Sequence, residues 1–137
     1  MKLKFVDANV FIRLITKDDE KKAEKCYLLL KKAEDKKILL TTSESVLSEV
    51  VYILISKKLY GLSAKKTRDL LNPIINNRGL KIDFRKEFLR ALDIFSDFNV
   101  DFEDALTVAY MKNRGIKKIY SYDRDFDKFD FVKRLKP

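Results

Sequence analysis

Hydrophobic positions in the first half of the chain fall into short continuous runs and stretches with helical spacing. The run at residues 3–6 predicts a strand, and the apolar residues that follow it recur at the spacing of a helix. A second helix is predicted over residues 18–35, and residues 38–41 predict a buried strand. Ser43 is expected to cap a long helix that ends near Leu59. The predicted order of elements in this half is therefore β, α, α, β, α.

The second half continues the alternation of helices and strands. Its predicted elements are a helix from Ser63 to about residue 77, a strand at 80–84, helices at 86–95 and 102–114, and strands near 118–122 and 131–135. The glycines Gly61, Gly79 and Gly115 each follow a predicted helix end, where a left-handed C-terminal cap favours glycine. Hydrophobic strands that alternate with helices predict an α/β fold, with a mostly parallel sheet covered by helices on both faces.

Length and composition limit the class of protein. With 137 residues, 46% of them hydrophobic, the chain is predicted to form a single domain over residues 1–137. It has no histidine, which excludes histidine-based catalytic triads, zinc sites and general bases. Its only cysteine, Cys26, is predicted to pack in the core on one helix face. A disulfide within the chain and a cysteine zinc site are therefore excluded.

Localisation and charge point to a cytoplasmic protein with a polyanionic partner. The N-terminus lacks the apolar core of a signal peptide, and the apolar runs are too short for a membrane span, so we expect no membrane association. Thirty Lys and Arg against 21 Asp and Glu give a net charge of +9. Single lysine pairs such as Lys65-Lys66 are typical of solvated helix faces. The total charge, rather than any one pair, favours a phosphate-rich partner.

Four acidic residues stand out because each lies next to apolar sequence. Asp7 and Asp123 each end a predicted strand, Asp104 lies in the first turn of a predicted helix, and Glu49 lies in the apolar stretch at residues 46–55. Burying an unpaired carboxylate costs roughly several kcal/mol, so such residues need a partner. Ligands of open parallel sheets bind at the carboxyl ends of strands, where Asp7 and Asp123 are predicted to lie. We therefore expect the four acids to share one site.

Each acid also has a purely structural explanation. Asp7 is placed to cap the helix that follows it, and Asp104 to join Asp101 in a helix cap. Asp123 is placed to lie in a surface turn. Glu49 is far from both ends of its predicted helix, so its alternatives are an ion pair with a lysine or a position at the edge of the helix. Single residues leave these alternatives open.

A shared acidic site implies a cation. Several carboxylates in one small volume repel one another and raise one another's pKa unless a cation is present. Oxygen ligands without His or Cys favour Mg²⁺ or Mn²⁺ over zinc. Such an ion lowers the pKa of bound water and stabilises the leaving oxygen of a phosphodiester, so no histidine base is needed. Together with the basic surface, this chemistry predicts a metal-dependent nuclease.

Each of the four acids lies in a short motif. The motifs are Phe5-Val6-Asp7-Ala8-Asn9-Val10-Phe11, Ser48-Glu49-Val50-Val51-Tyr52, Asp101-Phe102-Glu103-Asp104-Ala105-Leu106 and Ser121-Tyr122-Asp123-Arg124-Asp125-Phe126. They resemble the motifs of PIN-domain ribonucleases, and especially those of the VapC-like toxins of toxin–antitoxin pairs. The resemblance covers almost the whole chain, in motif order. It implies a three-layer α/β/α PIN-like fold with a parallel sheet of about five strands in the order 3-2-1-4-5. It also implies endonucleolytic cleavage of RNA that depends on Mg²⁺ or Mn²⁺.

The resemblance assigns roles to individual residues. The family's acidic quartet of catalytic, metal-binding residues is matched by Asp7, Glu49, Asp104 and Asp123. Asn9 and Ser121 match positions whose small polar side chains support the acids by hydrogen bonds. Asp101 and Asp125 are further candidates, for which a helix cap and a surface turn are equally open. The implied partners are an RNA substrate, a cognate antitoxin protein and a second copy of the chain in a homodimer.

Two other functions stay open. A phosphatase of the haloacid-dehalogenase type also places an Asp nucleophile after the first strand, but it needs a second Asp two residues later, where this chain has Asn9. A non-catalytic RNA-binding or regulatory module would keep the fold and the basic surface without needing all four acids. The RNA that is cleaved cannot be predicted, because recognition of single strands depends on shape and stacking.

Overall fold

Six helices and four short strands make up most of the computed structural model, which describes residues 1–137. The chain divides into two compact units, Met1–Arg85 and Lys86–Pro137. Each unit combines helices with a small parallel sheet, which confirms the predicted α/β class. No helix has the length and apolar character needed to cross a bilayer. The single domain over the whole chain stays a prediction.

The first unit is built on two parallel strands. It contains β1 (Leu3–Phe5), α1 (Ala8–Thr16), α2 (Glu20–Glu34), β2 (Leu39–Thr41), α3 (Glu44–Ile55) and α4 (Ala64–Ile75). β1 and β2 pair with Leu3 opposite Leu39 and Phe5 opposite Thr41. Parallel pairing places the carboxyl ends of both strands at the same edge of this sheet.

The strand predicted at residues 80–84 is reduced to a single parallel bridge between Leu40 and Leu80. The Lys81 N–H donates to the Leu40 carbonyl at 2.7 Å, so the Lys81 carbonyl also faces β2. That carbonyl accepts the Thr41 hydroxyl at 2.6 Å instead of a backbone N–H, and the ladder stops there.

Capping side chains set the start of the helices in this unit. Ser43 and Ser63 accept hydrogen bonds, each at 3.1 Å, from backbone N–H groups three residues further on, which confirms both predicted caps. Asp19 caps α2 in the same way. Helix α3 ends at Ile55, short of the predicted end near residue 59.

Gly79 is needed for close packing rather than for a left-handed cap. Gly115 adopts a φ of +66° just after the end of α6, as predicted. Gly61 also has a positive φ, +58°, but it lies in a turn six residues after the end of α3, so the predicted helix cap is wrong there. Gly79 has no positive φ; a Cβ added there would lie 2.1 Å from the Ala33 carbonyl oxygen. The backbone approach between these residues leaves no room for a side chain.

The core of the first unit is apolar and continuous along its helices. Its fully buried large side chains are Phe11, Leu40, Leu47, Leu54, Leu71, Ile75 and Leu80. Two predictions are corrected here. Cys26 is only half-buried, and strand β1 carries exposed Leu3 and Phe5 side chains instead of being covered on both faces.

The second unit packs two helices and a second parallel pair of strands. Apart from the first residue of α5, it contains α5 (Arg85–Asp97), α6 (Phe102–Asn113), β3 (Lys118–Tyr120), a 3₁₀ helix (Arg124–Lys128) and β4 (Lys133–Leu135). β3 and β4 pair in parallel within the ranges predicted for strands, whereas the 3₁₀ helix was not predicted. Phe102 anchors the core, with ring centroids 5.1 Å from Phe88 and 5.5 Å from Phe95.

Candidate metal centre

Three carboxylates of the second unit come together at the start of α6 and the end of β3. Asp104, Asp123 and Asp125 each offer one oxygen, and these oxygens lie within 4.8 Å of one another. Asp104 lies in the first turn of α6, Asp123 precedes the 3₁₀ helix, and Asp125 lies inside it. A set of carboxylate oxygens with no His or Cys fits a hard divalent cation.

Asp104 has the most perturbed environment of the three. Its side chain is half-buried, and burial is the main reason that its pKa is raised above the usual value. The negative charges of Asp123, Asp101, Asp125 and Glu103 raise that pKa further, in this order. Repulsion of this kind is relieved when a cation binds between the carboxylates.

Hydrogen bonds fix the position of Asp123. One of its carboxylate oxygens accepts the backbone N–H of Asp125 at 2.9 Å, and its own backbone N–H donates to the Ser121 hydroxyl at 3.0 Å. The Ser121 N–H donates to the Leu135 carbonyl at 2.9 Å, which ties this turn to β4. The second carboxylate oxygen of Asp123 stays available as a ligand.

A second set of contacts holds the same turn from β4. The Arg134 guanidinium donates to both carboxylate oxygens of Asp127, at 3.1 and 3.2 Å, and to the Ser121 carbonyl at 3.3 Å. This bidentate bond lowers the pKa of the Asp127 carboxyl. Arg134 therefore braces both the Ser121 end and the 3₁₀ helix.

Asp125 also takes part in a surface ion pair. The Lys128 ammonium lies 3.6 Å from its carboxylate and donates to the Asn99 carbonyl at 2.5 Å. Exposed pairs of this kind contribute about 0–1 kcal/mol, so a divalent cation can compete with Lys128 for this carboxylate. The turn predicted for Asp125 is present, and its side chain lies beside the other acids.

The explanation of Asp7 and Asp101 as helix caps is wrong. Both residues occupy the N-cap position, of α1 and α6 respectively, but neither side chain makes a capping hydrogen bond. Asp19, by contrast, uses its carboxylate to cap α2. The carboxylates of Asp7 and Asp101 are therefore not committed to their helix ends.

Three of the four predicted acids are exposed, so the premise of buried charge is corrected. Asp7 and Glu49 in the first unit and Asp123 in the second have exposed side chains, as does Asn9. Glu49 lies on the outer face of α3, between buried Leu47 and Val50. Because a helix turns once every 3.6 residues, one residue of an apolar stretch can face solvent while its sequence neighbours are buried. The apolar neighbours of Glu49 in the sequence therefore did not show that it is exposed.

The closeness of Asp125 to Asp104 and Asp123 was not predicted from the sequence. Its signal was an acid two residues after a strand-ending acid, a spacing that is also common in surface turns. What brings Asp125 beside Asp123 is the 3₁₀ helix, whose tight first turn starts at the Asp123 cap. Because the helix was not predicted, neither was the closeness of the two carboxylates.

Comparisons with known proteins find similarity over nearly the whole chain. The family model described as PIN domain matches residues 4–132. Ribonuclease VapC6 of Methanocaldococcus jannaschii is 27% identical to the chain, with 96% of this chain and 95% of that protein covered. A VapC ribonuclease of Aquifex aeolicus is 24% identical, with 94% and 93% covered. The chain therefore belongs to the PIN domain family.

Proposed function

We propose that the chain is an endoribonuclease that depends on Mg²⁺ or Mn²⁺ and hydrolyses RNA phosphodiesters. The observation that carries the proposal is the group of three carboxylates around Asp104, whose pKa is raised by burial and by neighbouring acids. Clustered, hydrogen-bonded carboxylates that repel one another are typical of a divalent cation site. The ribonuclease names of the two relatives and the net charge of +9 support RNA as the substrate.

The proposed ligands and catalytic residues are Asp7, Glu49, Asp104 and Asp123. Support for Asp104 and Asp123 comes from their short oxygen distances, and support for Asp7 and Glu49 comes from their motifs in a chain that belongs to the family. A bound divalent ion supplies Lewis-acid stabilisation of the phosphodiester and activates water. Within the chain, Ser121 and the Asp125 N–H hold Asp123 in place, and Arg134 braces Ser121.

The supporting residues have distinct proposed tasks. Ser121 positions Asp123 through the backbone, and Asp125 adds a third carboxylate beside Asp104. Asp101 increases the negative charge felt by Asp104. Asn9, exposed two residues after Asp7, is proposed to hydrogen-bond the acid or the substrate next to it.

For the fold, we propose the family's three-layer arrangement, with one parallel sheet of about five strands in the order 3-2-1-4-5. Three pairings inside the units are compatible with that order. In this order the third strand is the predicted strand at residues 80–84, so β3 and β4 of the structure are the fourth and fifth. The pairings are β1 with β2, Leu40 with Leu80, and β3 with β4, all parallel. On this proposal, residues 1–137 form a single PIN-like nuclease domain.

We propose that the enzyme is the toxin of a type II toxin–antitoxin system, that it is inhibited by a cognate antitoxin protein and that it forms a homodimer. The support is its similarity over nearly the full length to two proteins named as VapC. Expression of the chain alone should then arrest growth of its host. Growth arrest that disappears in the Asp104→Asn variant would tie the toxicity to the acidic site.

The proposed function is tested by RNA cleavage with purified variants. Asp7→Asn and Asp104→Asn each remove a carboxylate charge but keep the side-chain shape, so both should abolish metal-dependent cleavage and leave the fold intact. Asp130→Asn is the matched control, because Asp130 is an exposed acid of the second unit outside the candidate set. Full cleavage by both purified site variants would contradict the assignment.

A further inference from the structure

A basic pocket lies between α1 and α2 of the first unit. It has a volume of about 300 Å³ and is lined by Asn9, Val10 and Arg13 of α1 and by Lys22, Lys25 and Cys26 of α2. Three of these six residues are cationic, and none is acidic. Val10 and Cys26 are its apolar lining residues.

The three cations of the pocket have no carboxylate partner. No ion pair involves Arg13, Lys22 or Lys25. The two acids of the α1–α2 connection form other hydrogen bonds: Asp18 accepts the Tyr60 hydroxyl at 2.5 Å, and Asp19 accepts the backbone N–H, not the ammonium, of Lys22. Three neighbouring cations without a counter-charge raise the local concentration of an anionic ligand.

The pocket begins close to a proposed catalytic residue. Asn9 lines one end of it and follows Asp7 by two residues at the start of α1. Arg13 lies one helical turn beyond Asn9, on the same face of the helix. The rise along α1 from Asp7 to Arg13 is about 9 Å at 1.5 Å per residue, a span that a few nucleotides can cover.

We infer that the α1–α2 pocket binds the sugar–phosphate backbone of the RNA strand beside the bond that is cleaved. This inference rests on the proposed function and extends it to a phosphate subsite. Arg13 can donate two parallel hydrogen bonds to one phosphate, and Lys22 and Lys25 act as mobile point charges on its neighbours. The Asn9 amide is placed to orient the strand at the Asp7 end. Contacts to phosphates give affinity without sequence preference.

The salt dependence of binding tests this inference. A labelled single-stranded RNA oligonucleotide is titrated onto the Asp104→Asn protein, which cannot cleave it on the proposed function. The triple substitution Arg13→Gln, Lys22→Gln and Lys25→Gln should reduce the slope of log affinity against log salt by about 2, at about 0.7 per lost contact. When the salt concentration rises from 50 to 200 mM, the RNA affinity of the Asp104→Asn parent should then fall about 20-fold more than the affinity of the triple variant made in the same background.

A matched control separates the pocket from the overall charge. Lys57→Gln, Lys65→Gln and Lys66→Gln remove the same charge from exposed positions of the first unit outside the pocket. This control should retain the parent slope. Equal slopes in the two triple variants, or no RNA binding by the parent, would overturn the inference. Cleavage of RNA by the unsubstituted chain tests the proposed function separately, so the two failures are distinguishable.

Cys26 provides a second readout that does not depend on a folded triple variant. It is the only cysteine, it lines the pocket, and burial raises the pKa of its thiol. Its slow alkylation by the neutral reagent iodoacetamide should become at least several-fold slower when the RNA oligonucleotide is bound. An unchanged rate at saturating RNA would overturn the inference. Equal protection by a polyglutamate peptide would also overturn it, because the pocket would then accept an acidic protein segment.

Discussion

The two units carry opposite kinds of charge cluster. In the second unit, Asp104, Asp123 and Asp125 hold three carboxylate oxygens within 4.8 Å, fixed by a hydrogen-bonded turn. In the first unit, Arg13, Lys22 and Lys25 line a pocket with no acid in it. The acidic group fits a divalent cation, and the basic group attracts an anion. On the proposed function, the first unit carries both the basic pocket and two of the four catalytic acids, whereas the second unit carries the clustered pair.

The candidate acids of the two units also differ in their surroundings. Asp123 has carboxylate neighbours and a fixed backbone, whereas Asp7 and Glu49 are exposed side chains identified by their motifs. If clustering alone identified the site, substitution of Glu49 would have no effect. If the family quartet acts together, Glu49 is needed although its surroundings do not reveal this.

The largest effect expected from this contrast is on cleavage. Asp123→Asn should reduce kcat/KM for RNA by more than the roughly 10- to 100-fold that follows loss of an outer ligand partner. Glu49→Gln should also reduce kcat/KM by more than about 100-fold, because Glu49 is proposed as a ligand of the same ion rather than as an outer partner. Glu34→Gln, at the end of α2, is an exposed control that should keep full activity. Unchanged kcat/KM in Glu49→Gln would restrict the active residues to the clustered acids and break the quartet.

The next largest expected effect is a loss of stability when glycine is replaced. It is compared at two glycines, one in each unit. Gly79→Ala forces a Cβ to within 2.1 Å of the Ala33 carbonyl, so it should cost about 3 kcal/mol or more in the free energy of unfolding. Gly115→Ala meets no atom within 4 Å but keeps φ at +66°, so about 1 kcal/mol is expected. Urea unfolding measures both. Equal losses would show that the backbone at Ala33 moves to accept the added Cβ, so that close packing does not require glycine at residue 79.

Much of this architecture could be predicted from periodicity and capping. Ser43 and Ser63 cap the helices that their positions indicated, and β3 and β4 lie within their predicted ranges. The predicted strand after Gly79 ends where the Thr41 hydroxyl takes the Lys81 carbonyl. These two residues are 40 apart in sequence, so local sequence does not indicate the contact.

The candidate site was predicted unevenly for a similar reason. Motif positions identified Asp104 and Asp123, and the structure brings these two side chains together. Apolar flanks suggested that Glu49 was buried, but a helix can turn a single residue outward, and Glu49 is exposed. The closeness of Asp125 depends on a 3₁₀ turn that starts at Asp123, and the basic pocket depends on two helices packed side by side. No local sequence pattern indicates either the 3₁₀ turn or the pocket between the two helices.

The smallest expected effect is a change of stability with pH in the metal-free protein. The folded-state pKa of Asp104 is raised, so its contribution to stability is present below the unfolded pKa and is lost as pH rises through the folded pKa. In EDTA at neutral pH, Asp104→Asn should therefore melt at a higher temperature than the parent, and the difference should vanish in acid. Asp130→Asn should not change the melting temperature. A lower melting temperature for Asp104→Asn at neutral pH would show that the charge on Asp104 is stabilised rather than repelled.

Site-specific binding of Mn²⁺, followed by electron paramagnetic resonance, tests the central claim most directly. The parent chain and the Asp130→Asn control should take up Mn²⁺ in a saturable manner, and Asp104→Asn should lose that uptake because the half-buried ligand of the cluster is gone. A titration without saturable uptake by the parent, or with equal uptake by parent and Asp104→Asn, would contradict a metal-dependent nuclease centred on Asp104.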